Sequence, residues 1–305
     1  MPEPELHVVT GAFSYTGKYI TRRLLDAGVR VRTLTNHPRR TDPLADRVEV
    51  APLAFHDIAQ LAESLRGATT LYNTYWIRFS RGESTFARAI ANTKALVAAA
   101  ESAGVRRIVH VSIANPSLDS PLPYYRGKAE VEQVVTRSRL AYTILRPTVI
   151  FGDEDILLNN IAWLLRRFPL FAMPGGGGYG VQPIFVDDMA ALAVEAAHGD
   201  GNATIDAVGS ETFRFDDLVR LLARATASRA RIVHVPPRIA LYMSRLIGIL
   251  VRDVVLTPDE LAGLTAGLLA TSSPSAGETR LSDWLKDHGD TVGRRYASEL
   301  SKHYR

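Results

Sequence analysis

The chain has 305 residues, 46% hydrophobic and 22% charged, enough to bury one large core or a core with a smaller lobe. It contains no cysteine, which excludes a disulfide framework, a thiolate metal site and a cysteine nucleophile, and fits a reducing compartment. The 36 lysines and arginines against 32 acids leave a net charge of +4, scattered as short pairs such as Arg22-Arg23 and Arg166-Arg167. No basic stripe forms, so no nucleic-acid partner is expected.

The N-terminal MPEPELHVVTG lacks a basic segment followed by an apolar one, so no signal peptide is expected. In chain order, Leu6–Thr10 reads as a strand, followed by a glycine-containing turn and a helix that runs to Ala27 and stops at Gly28. Val29–Leu34 and RVEVAPL are the second and third strands; a helix over Ile58–Leu65 precedes the strand TTLYNT. An alanine-rich helix over Thr85–Ala103 leads to the strand RRIVHVS, a helix from near Tyr125, and the strand AYTILRP. Strands alternating with helices of this length predict a Rossmann-type, doubly wound parallel sheet, an α/β fold.

Beyond residue 150 the pattern loosens. FPLFAMPGGGGYG (Phe168–Gly180) reads as a loop with four consecutive glycines, VQPIFVDDMA as the approach to a helix, and NATIDAV as a strand. From Phe213 the chain reads as mainly helical, with one strand-like run, RIVHV. The expected organisation is a dinucleotide-binding domain over 1–150, with 181–210 returning to it. A smaller, mainly helical substrate-side lobe takes 151–180 and 211–305. The apolar run Ile239–Leu256 is broken by Arg245, Arg252 and Asp253; it is too short and charged to span a bilayer and suits a buried or partner-facing helix. A soluble, cytoplasmic protein with no membrane partner is expected.

The first chemical motif is Thr10-Gly11-Ala12-Phe13-Ser14-Tyr15-Thr16-Gly17, between the first strand and first helix. Backbone N–H groups and the positive end of a helix dipole hold a pyrophosphate there. Gly11 permits the turn and Gly17 the close helix packing, while Ser14 stands where a glycine is usual. After the second strand the chain reads Thr35-Asn36-His37-Pro38-Arg39-Arg40. No carboxylate there repels a 2′-phosphate, and Arg39 and Arg40 suit one, so NADP(H) is expected over NAD(H), with NAD(H) usable. The third motif is Ser112 with Tyr124 and Lys128, four apart on one helix face. An ammonium beside a phenol lowers the phenol pKa, so Tyr124 can act as acid or base near neutrality. His7, His37, His56 and His110 show no metal-ligand spacing, and no metal is expected. Asp153-Glu154-Asp155 reads as an acidic helix start. Trp76, Phe79, Trp163, Phe168 and Phe171 read as core or as an apolar pocket.

These motifs, with Pro123-Tyr124-x-x-x-Lys128-Ala-Glu130, Leu145-Arg146-Pro147-Thr148-x-x-Phe-Gly152 and Val186-Asp187-Asp188-Met-Ala190, occur together in order. The chain resembles the extended and atypical short-chain dehydrogenase/reductases, in the NAD(P)-dependent epimerase/dehydratase group, near NmrA-type and complex I accessory-subunit relatives. The resemblance implies Tyr124 as acid/base, Lys128 on the nicotinamide ribose and Ser112 on the substrate oxygen. It places Asn73, Thr74, Pro147, Thr148 and Val149 along the cofactor, and Asp187 and Asp188 as structural anchors. Departures are Ser14, Leu53-Ala54 where relatives carry an Asp, Gly127 before the lysine, and a Ser112–Tyr124 interval of only twelve residues. The activity implied is hydride transfer to or from a small, fairly apolar carbonyl, alcohol or enone. The alternatives are a non-catalytic redox sensor or assembly subunit and a sugar-nucleotide epimerase; a monomer or homodimer suits all three.

Overall fold

The computed structural model describes residues 5–36 and 42–303. The chain forms two compact units, Met1–Pro147 with Val186–Ala207, and Thr148–Phe185 with Val208–Arg305. In the first unit β1 (Leu6–Thr10) is buried at all five positions, as expected of a parallel strand covered on both faces. It is followed by α1 (Tyr15–Asp26), β2 (Arg30–Leu34), β3 (Glu49–Ala51), α2 (Ile58–Leu65), β4 (Ala68–Asn73), α3 (Phe86–Ser102), β5 (Arg107–Val111), α4 (Pro123–Thr136) and β6 (Ala141–Leu145). The side chains of Asp57 and Thr85 accept from the N–H groups of Gln60 and Arg88, capping α2 and α3. Pro123 opens α4 where a missing N–H is harmless.

The chain then contributes β7 (Val149–Phe151), α5 (Leu157–Arg167), β8 (Leu170–Pro174), β9 (Gly180–Val181) and β10 (Pro183–Phe185) to the second unit. It returns to the first with α6 (Val186–Glu195) and β11 (Ala203–Ile205). The resulting seven-stranded sheet has the order β11-β6-β5-β4-β1-β2-β3 and is parallel throughout. This is the expected doubly wound Rossmann-type α/β fold. Strand order reverses between β1 and β4, and the strand C-terminal ends at such a switch point are where open α/β sheets place ligands.

The rest of the second unit is β12 (Phe213–Arg214), α7 (Phe215–Ala225), β13 (Arg231–Val235), α8 (Pro237–Val251), α9 (Pro258–Thr265), α10 (Leu281–His288) and α11 (Glu299–His303). Its own core gathers Phe151, Leu158, Phe171, Met173, Phe215 and Trp284. One expectation is corrected here. Phe168–Gly180 is not a loop throughout, because Leu170–Pro174 forms β8, paired in parallel with β13. The partner strand lies 61 residues downstream, and pairing of that kind leaves no local signature. The loop proper is the glycine run, with positive φ at Gly175 and Gly177.

Candidate functional site

The β1–α1 turn is fixed by contacts that keep its backbone tight. Gly11 has φ +71°, and its carbonyl accepts both the N–H of Ser14 at 2.8 Å and the Ser14 hydroxyl at 2.6 Å. The Ala12 N–H donates to the Thr33 hydroxyl at 3.0 Å, which itself donates to the Val9 carbonyl, tying the turn to β2. Phe13 is buried beneath it. A Cβ at position 17 would stand 2.2 Å from the Gly11 carbonyl oxygen, so only glycine lets α1 start this close to the turn. Ser14 occupies the N-cap position, yet its hydroxyl points back to Gly11 and makes no cap bond, and the first turn of Tyr15, Thr16 and Gly17 carries no acid. The serine therefore leaves the anion-binding end of α1 unfilled, and these residues fit a pyrophosphate.

Asn36, at the end of β2, closes its amide on Leu53, donating to the carbonyl at 2.9 Å and accepting the N–H at 3.1 Å. His37, Arg39 and Arg40 lie outside the described residues.

At the ends of β4 and β5 a buried polar chain runs sideways through the sheet. The Thr10 hydroxyl donates to Asn73 Oδ1 at 3.4 Å, the Tyr75 N–H donates to the same oxygen at 3.1 Å, and Asn73 Nδ2 lies 3.1 Å from His110 Nδ1. The Thr74 N–H donates to the Thr10 hydroxyl at 2.8 Å. An amide NH₂ can only donate, so this contact assigns the His110 proton to Nε2. Burial, then the nearby Lys128, holds the His110 pKa well below its ordinary value, so the ring is neutral. Its Nε2 has no hydrogen-bond partner.

On α4, Tyr124 and Lys128 are one turn apart. Lys128 is 3% exposed; its Nζ donates to the Val111 carbonyl at 2.9 Å and lies 4.8 Å from the centre of the Trp76 ring. Burial lowers the Lys128 pKa to about 7, against the opposing pull of Glu132. Because Lys128 is anchored on the peptide of Val111–Ser112, Lys128 and Ser112 share one strand end. The Ser112 N–H donates to the Leu145 carbonyl at 2.7 Å, whereas its hydroxyl is buried with no partner. Tyr124 is half-buried and edge-on to Trp76, Phe86 and Tyr125, with ring centres 6.1, 6.0 and 5.6 Å away. The geometry thus brings Ser112, Tyr124 and Lys128 to the end of β5 and the start of α4.

The remaining sequence candidates are placed by their backbones. The Pro147 carbonyl accepts from the Ala114 N–H at 2.8 Å. The Thr148 hydroxyl donates to the Gln182 carbonyl, and Val149 opens β7. Asp187 receives a bidentate pair from Arg23 at 2.9 and 2.7 Å, which ties α6 to α1. Among the described residues no cluster of histidine and acidic side chains could hold a metal ion, and no helix is long and apolar enough to cross a membrane.

Two features escaped sequence reasoning. Trp76 packs against Gly127, where a Cβ would meet its ring carbon at 3.1 Å, so the glycine before Lys128 makes room for the indole that covers the lysine. Nothing local announces that. Glu132 receives the Arg146 guanidinium in a bidentate pair at 3.0 and 2.5 Å; its position one turn beyond Lys128 was the available signal.

Residues 11–159 match the family described as NAD(P)H-binding. That matched stretch, just under half of the chain, carries both this turn and the Tyr124–Lys128 pair. The chain is 29% identical over 248 residues to NADH dehydrogenase [ubiquinone] 1 alpha subcomplex subunit 9 of Arabidopsis thaliana, covering 77% of this chain and 61% of that one. It is 31% identical over 201 residues to the (4-alkanoyl-5-oxo-2,5-dihydrofuran-3-yl)methyl phosphate reductase of Streptomyces griseus, covering 64% of each. The chain spans 61–65% of the length of the first curated relatives it matches. The fold is shared with the NADPH-dependent quinone oxidoreductase of Escherichia coli in its NADPH complex, with a TM-score of 0.74, 20% identity, and 92% and 99% of the two chains covered.

Proposed function

We propose that the protein is an NADP(H)-dependent oxidoreductase of the short-chain dehydrogenase/reductase type, acting on a small, fairly apolar carbonyl, alcohol or enone. The observation that carries this reading is Lys128, buried and anchored on the Val111 carbonyl one helical turn from Tyr124, beside the unpartnered hydroxyl of Ser112. The nicotinamide supplies or accepts the hydride when bound. The chain's own residues do the rest. Backbone N–H groups of Gly11–Gly17 hold the pyrophosphate, and Lys128 holds the nicotinamide ribose. Ser112 donates to the substrate oxygen, and Tyr124 gives that oxygen its proton as the neighbouring carbon is reduced, or takes it back in the reverse direction. Asn73 and Thr74, through their backbones, and the crossing segment Pro147, Thr148 and Val149 flank the cofactor. The missing carboxylate after β2, with Arg39 and Arg40, favours the 2′-phosphate of NADP(H).

The test is a panel of ketones, aldehydes, enones and quinones offered with NADPH and with NADH. Turnover that is faster with NADPH supports the proposal. The likeness to a subunit of NADH dehydrogenase [ubiquinone] favours a second reading, a non-catalytic NAD(P)-binding subunit. Its signature is NADPH binding with no turnover on any panel member and recovery of the protein in a stable hetero-complex.

A further inference from the structure

Helix α8 carries the largest run of uncovered apolar side chains among the described residues. Ile239, Tyr242, Leu246, Ile249 and Leu250 are 48%, 61%, 50%, 76% and 69% exposed. At 3.6 residues per turn they fall within an arc of about 100°. Arg238 and Arg245 are exposed as well and line one border of that arc, within about 20° of each other, and the exposed Arg252 caps the end of the helix in the left-handed conformation. The opposite face, with Ala240 and Gly248, is buried against the rest of its own unit. A soluble helix turns its apolar arc inward and its charges outward; here the apolar arc and the arginines share the outer surface.

We propose that α8 lies flat on an anionic lipid surface, with the five apolar side chains in the boundary between headgroups and acyl chains and the three arginines on lipid phosphates. The charge pattern selects this occupant. From Pro237 to Arg252 the segment has three arginines and no acid, and among the described residues none of the three forms an ion pair. A second copy pairing through the same helix face would set arginine against arginine with no carboxylate to receive them. A negatively charged leaflet supplies the counter-charge along the whole helix and requires no shaped groove. At 15 residues α8 is too short to span a bilayer but long enough to lie in its interface. Tyr242, apolar in its ring and polar at its tip, suits that depth. The proposal departs from the sequence expectation of no membrane partner, and the vesicle experiment decides between them.

The test is co-sedimentation of the full chain with vesicles of phosphatidylcholine alone and of phosphatidylcholine with phosphatidylserine, at low and high salt. Binding is expected to the mixed vesicles and to weaken with salt. It should fall about fivefold for Arg245→Gln and at least about tenfold for the double variant Leu246→Glu/Ile249→Glu. NADPH affinity and thermal stability of the variants serve as the check that they fold. No binding to phosphatidylserine vesicles, or binding that survives the double variant, overturns the proposal. A lipid-free dimer that the double variant dissociates, together with no vesicle binding, overturns it in favour of a second copy.

Discussion

Lys128 donates a hydrogen bond from its Nζ to the Val111 carbonyl at 2.9 Å, one helical turn beyond Tyr124, in a buried setting that lowers its pKa to about 7. An unfolded lysine holds its proton to about 10.4. Between roughly pH 7 and 10 the unfolded chain therefore binds more protons than the folded one, and stability rises with pH across that window. Thermal melts at about pH 7 and about pH 9 should show this rise for the wild type and its loss in Lys128→Met. Parallel curves for the two proteins would contradict the buried ammonium.

Asp155 gives the opposite sign. Its carboxylate accepts from the Leu158 N–H at 2.7 Å and from Asn159 Nδ2 at 2.9 Å, at the start of α5. Burial nevertheless raises its pKa to about 7, above the roughly 3.9 of an unfolded aspartate. The folded chain binds the extra proton between those values, so this contribution is present below about pH 4 and lost as pH rises through 7. Urea unfolding at about pH 5 and about pH 8 should show a smaller drop in Asp155→Asn than in the wild type.

The turn before α1 makes a steric prediction. Gly17→Ala places a methyl group 2.2 Å from the Gly11 carbonyl oxygen, backbone that cannot move without opening the pyrophosphate cradle. Nicotinamide fluorescence titration should give at least about a tenfold loss of NADPH affinity, the scale of a ~1.4 kcal/mol misfit. Unchanged affinity would mean that the cofactor phosphates bind elsewhere.

Trp76 and Gly127 should behave as a coupled pair. Gly127→Ala alone presses a methyl group against the indole at 3.1 Å and is expected to destabilise. Trp76→Leu alone removes packing from Phe86 and Tyr124 and should cost about 2–4 kcal/mol. With both changes the alanine has room, so a double-mutant cycle should show about 1 kcal/mol of coupling. Simple additivity would contradict the contact.

The strands and helices of the first unit were legible because each is a short apolar run or an amphipathic stretch with its own stop signal, as at Gly28. The Gly11–Gly17 turn and the Tyr124–Lys128 spacing were legible for the same reason, since their geometry is local. What stayed hidden depends on partners distant in sequence: β8 needs β13, the glycine at 127 needs the indole of Trp76, and the tautomer of His110 needs Asn73 on the adjoining strand. The exposed arc of α8 was hidden differently. Its apolar residues read as an inward or partner-facing face, and only the packing of Ala240 and Gly248 shows which side looks outward.

The central claim is that Tyr124 moves the proton while the cofactor is held by other residues. Its most direct test is kcat for NADPH oxidation by Tyr124→Phe on a substrate that the wild type accepts, with NADPH affinity measured on the same sample. kcat is expected to fall by about 10²-fold or more while NADPH affinity stays within about twofold, since the lost group is one hydroxyl. Full turnover by Tyr124→Phe would contradict it.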